Sequence, residues 1–117
     1  MPQNLTLYGI KNCDTMKKAR AFLDANGADY AFHDYKTQGA PEAKLKDWAK
    51  RVGWEALLNR AGTTFRKLPD ADKENLTEAK ALALMLAHPS MIRRPVLEAG
   101  DTILVGFKPE DYAKVVA

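Results

Sequence analysis

The chain holds a single cysteine, Cys13, among its 117 residues. An internal disulfide is therefore excluded, nothing points to export, and the cytoplasm is the expected location. Histidine is nearly as scarce, with only His33 and His88. No spacing of His, Cys, Asp and Glu suits a metal site, so no metal is expected. No apolar run approaches the roughly 18 residues that a membrane span needs. The first residues lack the charged-then-apolar layout of a signal peptide. There is no repeat and no low-complexity tract. The net charge is only +3 and the pI about 9.0. Lysines and arginines alternate with acids, which reads as a solvated surface, and direct nucleic-acid binding is not expected. What remains is ordinary globular composition, 46% apolar and 28% charged. Such a chain builds one domain around one core, and a monomer is expected.

The informative stretch is Gly9-Ile10-Lys11-Asn12-Cys13-Asp14-Thr15. The run Leu5-Thr6-Leu7-Tyr8 leads in as a strand, predicted over residues 4–8. A helix predicted over residues 14–26 leads out, with Met16, Ala19, Phe22 and Leu23 on one face and Asn26-Gly27 as its stop. Cys13 thus stands where a strand ends and a helix begins. Open N–H groups and the positive end of the helix dipole favour a thiolate there. A lone cysteine is often only a small buried hydrophobe. The polar neighbours Lys11, Asn12 and Asp14 argue for a loop and a reactive thiol instead. Asp14 allows two outcomes. Its carboxylate either raises the thiol pKa or caps the helix and leaves the sulfur alone.

Tyr30 to Tyr35 alternates as a second strand, parallel to the first in a β-α-β unit. His33 on it reads as a surface or sheet-edge residue. A loop at residues 36–40 precedes Pro41 at a first helical position. Leu45, Trp48, Ala49 and Val52 mark one helix face, closed by Gly53. A short helical piece starts at Trp54. Asn59 to Leu68 reads as a cation-rich loop, and Pro69 to Asn75 as a polar connection. Leu76 to Ala87 is so apolar that it reads as a helix buried round most of its circumference against a sheet. His88 reads as its C-terminal cap. Val96-Leu97 and Thr102–Phe107 form an antiparallel hairpin across Ala99-Gly100-Asp101. Glu110 to Val116 is a terminal helix with Tyr112, Val115 and Val116 inward.

This order, with a cysteine at the first strand-to-helix junction and a proline at the start of the third strand, is the thioredoxin-like β-α-β … α-β-β-α arrangement. The expectation is a single α/β domain over residues 1–117, with a helical insert at about 41–75 between the second strand and the third-strand unit. Gly9-Ile10-x-Asn12-Cys13-Asp14-Thr15, followed by Lys17, Lys18, Ala19 and Arg20, resembles the active-site segment of the arsenate reductase-like (ArsC/Spx) family, and its YffB branch most of all. Asn59 through Leu68 and Arg93-Arg94-Pro95 fall where that family carries its other two motifs.

The resemblance implies a thiol-dependent oxidoreductase with Cys13 as nucleophile and Arg94 as the principal anion-holding residue. Pro95 is expected in cis, and Asn12, Arg60, Arg66 and Lys108 complete the binding set. Arginine suits the task because its planar fork binds oxyanions bidentately and stays charged. Four departures refine this. Ala61 stands where the family's middle arginine precedes Gly62, so either Arg60 or Arg66 takes that role. Gly9 replaces the histidine of arsenate reductases, and Lys108 replaces their last arginine. Arsenate therefore ranks below a thiol or glutathione substrate. Met16 occupies the place of the second cysteine of the Spx redox switch, so an intramolecular switch is excluded. With no second cysteine, an outside thiol must resolve any adduct on Cys13. Glutathione, as reductant or co-substrate, or glutaredoxin is the expected partner. The alternative is an Spx-like regulator that binds RNA polymerase.

Overall fold

The run Leu5–Gly9 forms the first strand, β1, in the computed structural model, which describes residues 5–116. Residue 4, where a strand was expected to begin, lies outside the described residues. Leu7 is fully buried and faces the helix that follows, α1 (Asp14–Ala25). That helix buries Met16, Ala19 and Leu23 and half-buries Phe22, the face read from the spacing. It stops at Asn26-Gly27 because Gly27 turns left-handed at φ 66°, while the Ala28 N–H donates back to the Leu23 carbonyl.

Strand β2 (Tyr30–Asp34) runs parallel to β1. Strand β3 (Val96–Ala99) lies antiparallel on the other side of β1, and β4 (Thr102–Val105) pairs with β3. The sheet order is β2-β1-β3-β4. Period-2 alternation puts Leu5, Leu7, Leu97 and Ala99 on one sheet face, with Met16, Leu23 and Tyr112 packed onto it. Each fully buried leucine contributes about 1.5–3 kcal/mol by leaving water. Tyr112 comes from the last helix, α8 (Pro109–Val116), on which Val115 and Val116 also turn inward. This mixed sheet, with its β-α-β and β-β-α halves, is thioredoxin-like.

These elements belong to one compact unit, Met1–Gln38 with Arg94–Ala117; a second unit is Gly39–Arg93. In the first unit, β1, α1, β2 and α8 each start or end one residue away from the sequence reading, and two differences are larger. Tyr35–Gln38 forms a helical turn, α2, where a loop was expected, because Asp34 Oδ1 accepts the Lys36 N–H and tightens the chain. Strand β4 ends at Val105 and not at Phe107. Gly106 leaves the strand at φ 86°, and Phe107 turns to meet the Tyr112 ring edge-on with 4.8 Å between centroids.

The second unit is helical. It contains α3 (Glu42–Val52), α4 (Trp54–Leu57), α5 (Thr63–Arg66), α6 (Asp70–Lys73), α7 (Glu78–Ala87) and a 3₁₀ turn at Pro89–Met91. Leu45, Trp48 and Ala49 are buried on α3, as the spacing predicts. Pro41 caps α3 from just outside it. The stretches read as loop and polar connection hold α5 and α6, single turns too short to show a period. Phe65 anchors α5, and the Lys73 and Lys80 ammonium groups tie the carbonyls of Arg66, Ala71 and Glu74. Helix α7 corrects the expectation of all-round burial. Only Ala81 and Met85, one turn apart, are buried. That single stripe packs on α3 and α4. His88 is its C-terminal cap.

Candidate active site

Strand pairing assembles the site. Tyr8, near the end of β1, lies opposite Val96 at the start of β3. The residues just beyond β1 and just before β3 are therefore neighbours in space, although some 80 positions separate them in the chain. Cys13 follows β1 and Arg94 precedes β3. The Arg94-Pro95 peptide bond is cis, as the family resemblance implies. Pro95 is buried, and its carbonyl accepts the Gly106 N–H at 2.8 Å. The Gly106 carbonyl in turn accepts the Tyr112 hydroxyl at 3.1 Å. The arginine-bearing segment is thus tied to the hairpin and to α8.

Cys13 is the N-cap of α1, with extended backbone (φ −116°, ψ 133°), and its carbonyl accepts the Lys17 N–H at 2.9 Å. It is a free, half-buried cysteine. The Cys13 side chain makes no well-formed cap hydrogen bond as a neutral thiol, and the first-turn N–H groups of Thr15 and Met16 favour charge on its sulfur. Burial is the strongest single influence on the thiol and pushes its pKa up. It is outweighed by the backbone N–H groups of Met16 and Thr15 and by the charge and hydrogen bonding of the Arg94 guanidinium. The net effect holds the thiol below its usual range. Asp14 stands exposed in the first turn, and the thiol pKa is lowered with that carboxylate in place.

A second polar cluster lies on the sheet face away from the leucine core. Tyr8 donates its hydroxyl to Glu98 at 2.9 Å. The His33 ring lies 5.1 Å from that of Tyr8 and 5.8 Å from that of Tyr35. Burial first, then the Glu98 bond and charge, hold the Tyr8 phenol well above its usual range, so it stays a neutral donor. The Tyr35 hydroxyl is buried without a hydrogen-bond partner among the described residues. Sequence patterning does not single out Tyr8, Tyr35 and Glu98, because only strand pairing and the turn after β2 bring them together.

The other site residues read from the sequence are distributed as follows. Asn12 is exposed beside Cys13, and Lys108 is exposed just before α8. Arg60 and Arg66 belong to the second unit and are exposed there. The Arg60 guanidinium lies 5.5 Å from the centre of the Trp54 ring, a cation–π contact. Asn59 Oδ1 accepts the Ala61 N–H at 3.2 Å, which shapes the turn carrying Arg60. Arg66 ends α5. The groups that bear on the Cys13 sulfur are the Arg94 guanidinium and the backbones of Thr15 and Met16. Among the described residues, no group of three or more His, Cys, Asp and Glu is placed to hold a metal ion. Among the same residues, no helix is long and apolar enough to cross a membrane.

A thioredoxin-like sheet with one cysteine at the β1–α1 junction and an arginine before a cis-proline defines a class of thiol-bearing α/β proteins. Within it, residues 8–115 match the model of the ArsC family, and the chain belongs to that family. It is 59% identical to the YFFB protein of known structure, covering 97% of this chain and 100% of that one, with a TM-score of 0.95. It is 57% identical to an arsenate reductase (ArsC) related protein from Brucella melitensis, covering 95% and 92%, with a TM-score of 0.76. It is also 27% identical to the global transcriptional regulator Spx 1 of Lactococcus lactis subsp. lactis, covering 92% and 84%.

Proposed function

We propose that this protein is a single-cysteine, thiol-dependent reductase that uses glutathione. The observation that carries this reading is the engagement of the Cys13 sulfur by Arg94 and by the first-turn N–H groups. A thiolate is the attacking form of cysteine, and these groups favour it. In the reaction, the Cys13 thiolate attacks one sulfur of a disulfide R–S–S–R′. A Cys13–S–S–R bond forms, the S–S bond breaks, and R′–S⁻ leaves. A glutathione thiolate then attacks the R sulfur and releases Cys13 as thiolate. A second glutathione reduces the resulting mixed disulfide to R–SH and oxidised glutathione. Overall, two glutathiones supply the two electrons, consistent with a chain that has no resolving cysteine of its own.

Arg94 and Lys108 would hold glutathione carboxylates, with Asn12 beside the nucleophile. The family resemblance leaves the middle-arginine role to Arg60 or Arg66. Arsenate remains a secondary substrate in this reading. Lys108 supplies charge without the guanidinium fork, and Gly9 offers no side chain to handle a proton. The test is intact mass after incubation with oxidised glutathione, followed by turnover of a mixed-disulfide substrate. A single adduct on the parent, absent in Cys13→Ser, supports the proposal. No adduct and no turnover at neutral pH would sink it.

The second reading is an Spx-like regulator that binds RNA polymerase, favoured by the identity with the Spx 1 regulator. Stoichiometric binding of purified polymerase, unaffected by Cys13→Ser, would favour it over the enzyme.

A further inference from the structure

Gly9 ends β1 in ordinary strand conformation, so its backbone does not require glycine. Space does. A Cβ at this position would run into the Met16 thioether sulfur, with Cε at 2.8 Å and Cγ at 3.3 Å. Distances below about 3 Å are not tolerated between packed carbons, whose attractive minimum lies near 3.5–4.0 Å. A long flexible side chain can often swing aside from such a clash. Met16 has little room to do so, since it is fully buried within the Leu5, Leu7, Leu23 and Leu97 core. Moving it means repacking that core. Met16 is also the third residue after Cys13 and belongs to the first turn of α1. Its side chain is therefore wedged beneath the end of β1, while its backbone N–H faces the nucleophile.

We propose that Gly9 and Met16 form a positioning pair: the thioether seated in the space left by Gly9 fixes the first turn of α1 against the end of β1, and so keeps the Thr15 and Met16 N–H groups on the Cys13 sulfur. The pair touches no substrate and acts through Cys13. The inference rests on the reading of Cys13 as the nucleophile and adds what aims it. A glycine at 9 and a long unbranched side chain at 16 are then two halves of one feature. Either half alone is misfitted. A methyl at 9 displaces the thioether, and a branched side chain at 16 leaves the space above Gly9 unfilled.

The test is the pH profile of Cys13 alkylation by iodoacetamide, run with a thermal melt, for the parent, Gly9→Ala, Met16→Leu and Gly9→Ala/Met16→Ala. The parent midpoint is expected below the ordinary thiol value. Gly9→Ala raises it, slowing alkylation below the midpoint by about 3-fold or more, in proportion to the lost thiolate fraction. Met16→Leu conserves volume and folds, and its midpoint moves the same way by less. The double variant recovers much of the parent profile although its core has lost methylenes. If the parent midpoint is low and both single variants keep it, the pair is mere packing and the inference is overturned, however far the melting temperatures fall. A parent midpoint at the ordinary thiol value overturns the nucleophile reading itself, and the pair with it.

Discussion

Two arginine-bearing segments invite comparison. Arg94 is half-buried, follows directly into a buried cis-proline, and acts on the Cys13 sulfur. Arg60 and Arg66 stand exposed on a turn and a single-turn helix, with Arg60 laid over Trp54. All three are guanidinium groups in family motifs. Their surroundings differ. A charge held beside a half-buried sulfur interacts through a poorly screened medium, whereas an exposed charge is screened by water and salt. Position in a motif thus names candidates, and burial with a fixed partner decides which of them tunes the chemistry.

The largest effect expected is on the nucleophile. Cys13→Ser removes thiol turnover to background while the fold is kept, as read by activity alongside far-UV circular dichroism. Turnover surviving in that variant would move the chemistry elsewhere. Next is Arg94→Ala. Loss of a charge-assisted hydrogen bond of about 1.5–3 kcal/mol corresponds to roughly 10–150-fold in rate. The alkylation midpoint of Cys13 rises at the same time. Arg94→Lys restores part of the midpoint shift, because charge remains, but less of the rate, because the fork is gone. An Arg94→Ala enzyme with parental rate and a much lower melting temperature would recast this arginine as structural.

Arg60→Ala and Arg66→Ala sharpen the contrast. Neither is expected to move the Cys13 midpoint, since the groups that lower the thiol pKa are Arg94 and the backbones of Thr15 and Met16. Arg60→Ala forfeits an exposed cation–π contact worth about 0.5–1 kcal/mol of stability. Whichever of the two raises the KM for glutathione, with kcat unchanged, occupies the middle-arginine place. A midpoint shift in either variant would mean that its guanidinium, like that of Arg94, tunes the thiol.

The smallest effect is on stability against pH. The folded-state pKa of Cys13 is depressed, so the native state releases the thiol proton before the unfolded state does. That contribution is fully present above the unfolded thiol pKa and is lost as pH falls through the lower folded value. Parent and Cys13→Ser denaturation curves are therefore expected to converge toward low pH and separate slightly toward high pH. Parallel curves would mean the thiol is not shifted.

Much of this was legible in the chain. Leu5 and Leu7 before the cysteine and Met16, Ala19 and Leu23 after it give period-2 and helical patterns too regular to misread, and the hairpin is announced by Gly100. Helix α7 was misjudged because composition counts apolar residues without saying how many faces are covered; Leu82, Leu84 and Leu86 are only partly buried. Helices α5 and α6 escaped notice because one turn has no period to detect. At the site, Gly9 stands out against the arsenate reductases and Met16 against the Spx redox switch. Nothing in the linear order shows that one fills the space of the other.

Composition and local patterning by themselves determined the four strands, the longer helices and the lone thiol at a strand-to-helix junction, because these follow from residue type and short-range periodicity. Tertiary structure alone decided that Arg94 acts on Cys13, that Tyr8 pairs with Glu98 and that Met16 packs under Gly9. These are contacts made by strand register and core packing, and their energies depend on distance through space and on burial, neither of which is written in the order of residues.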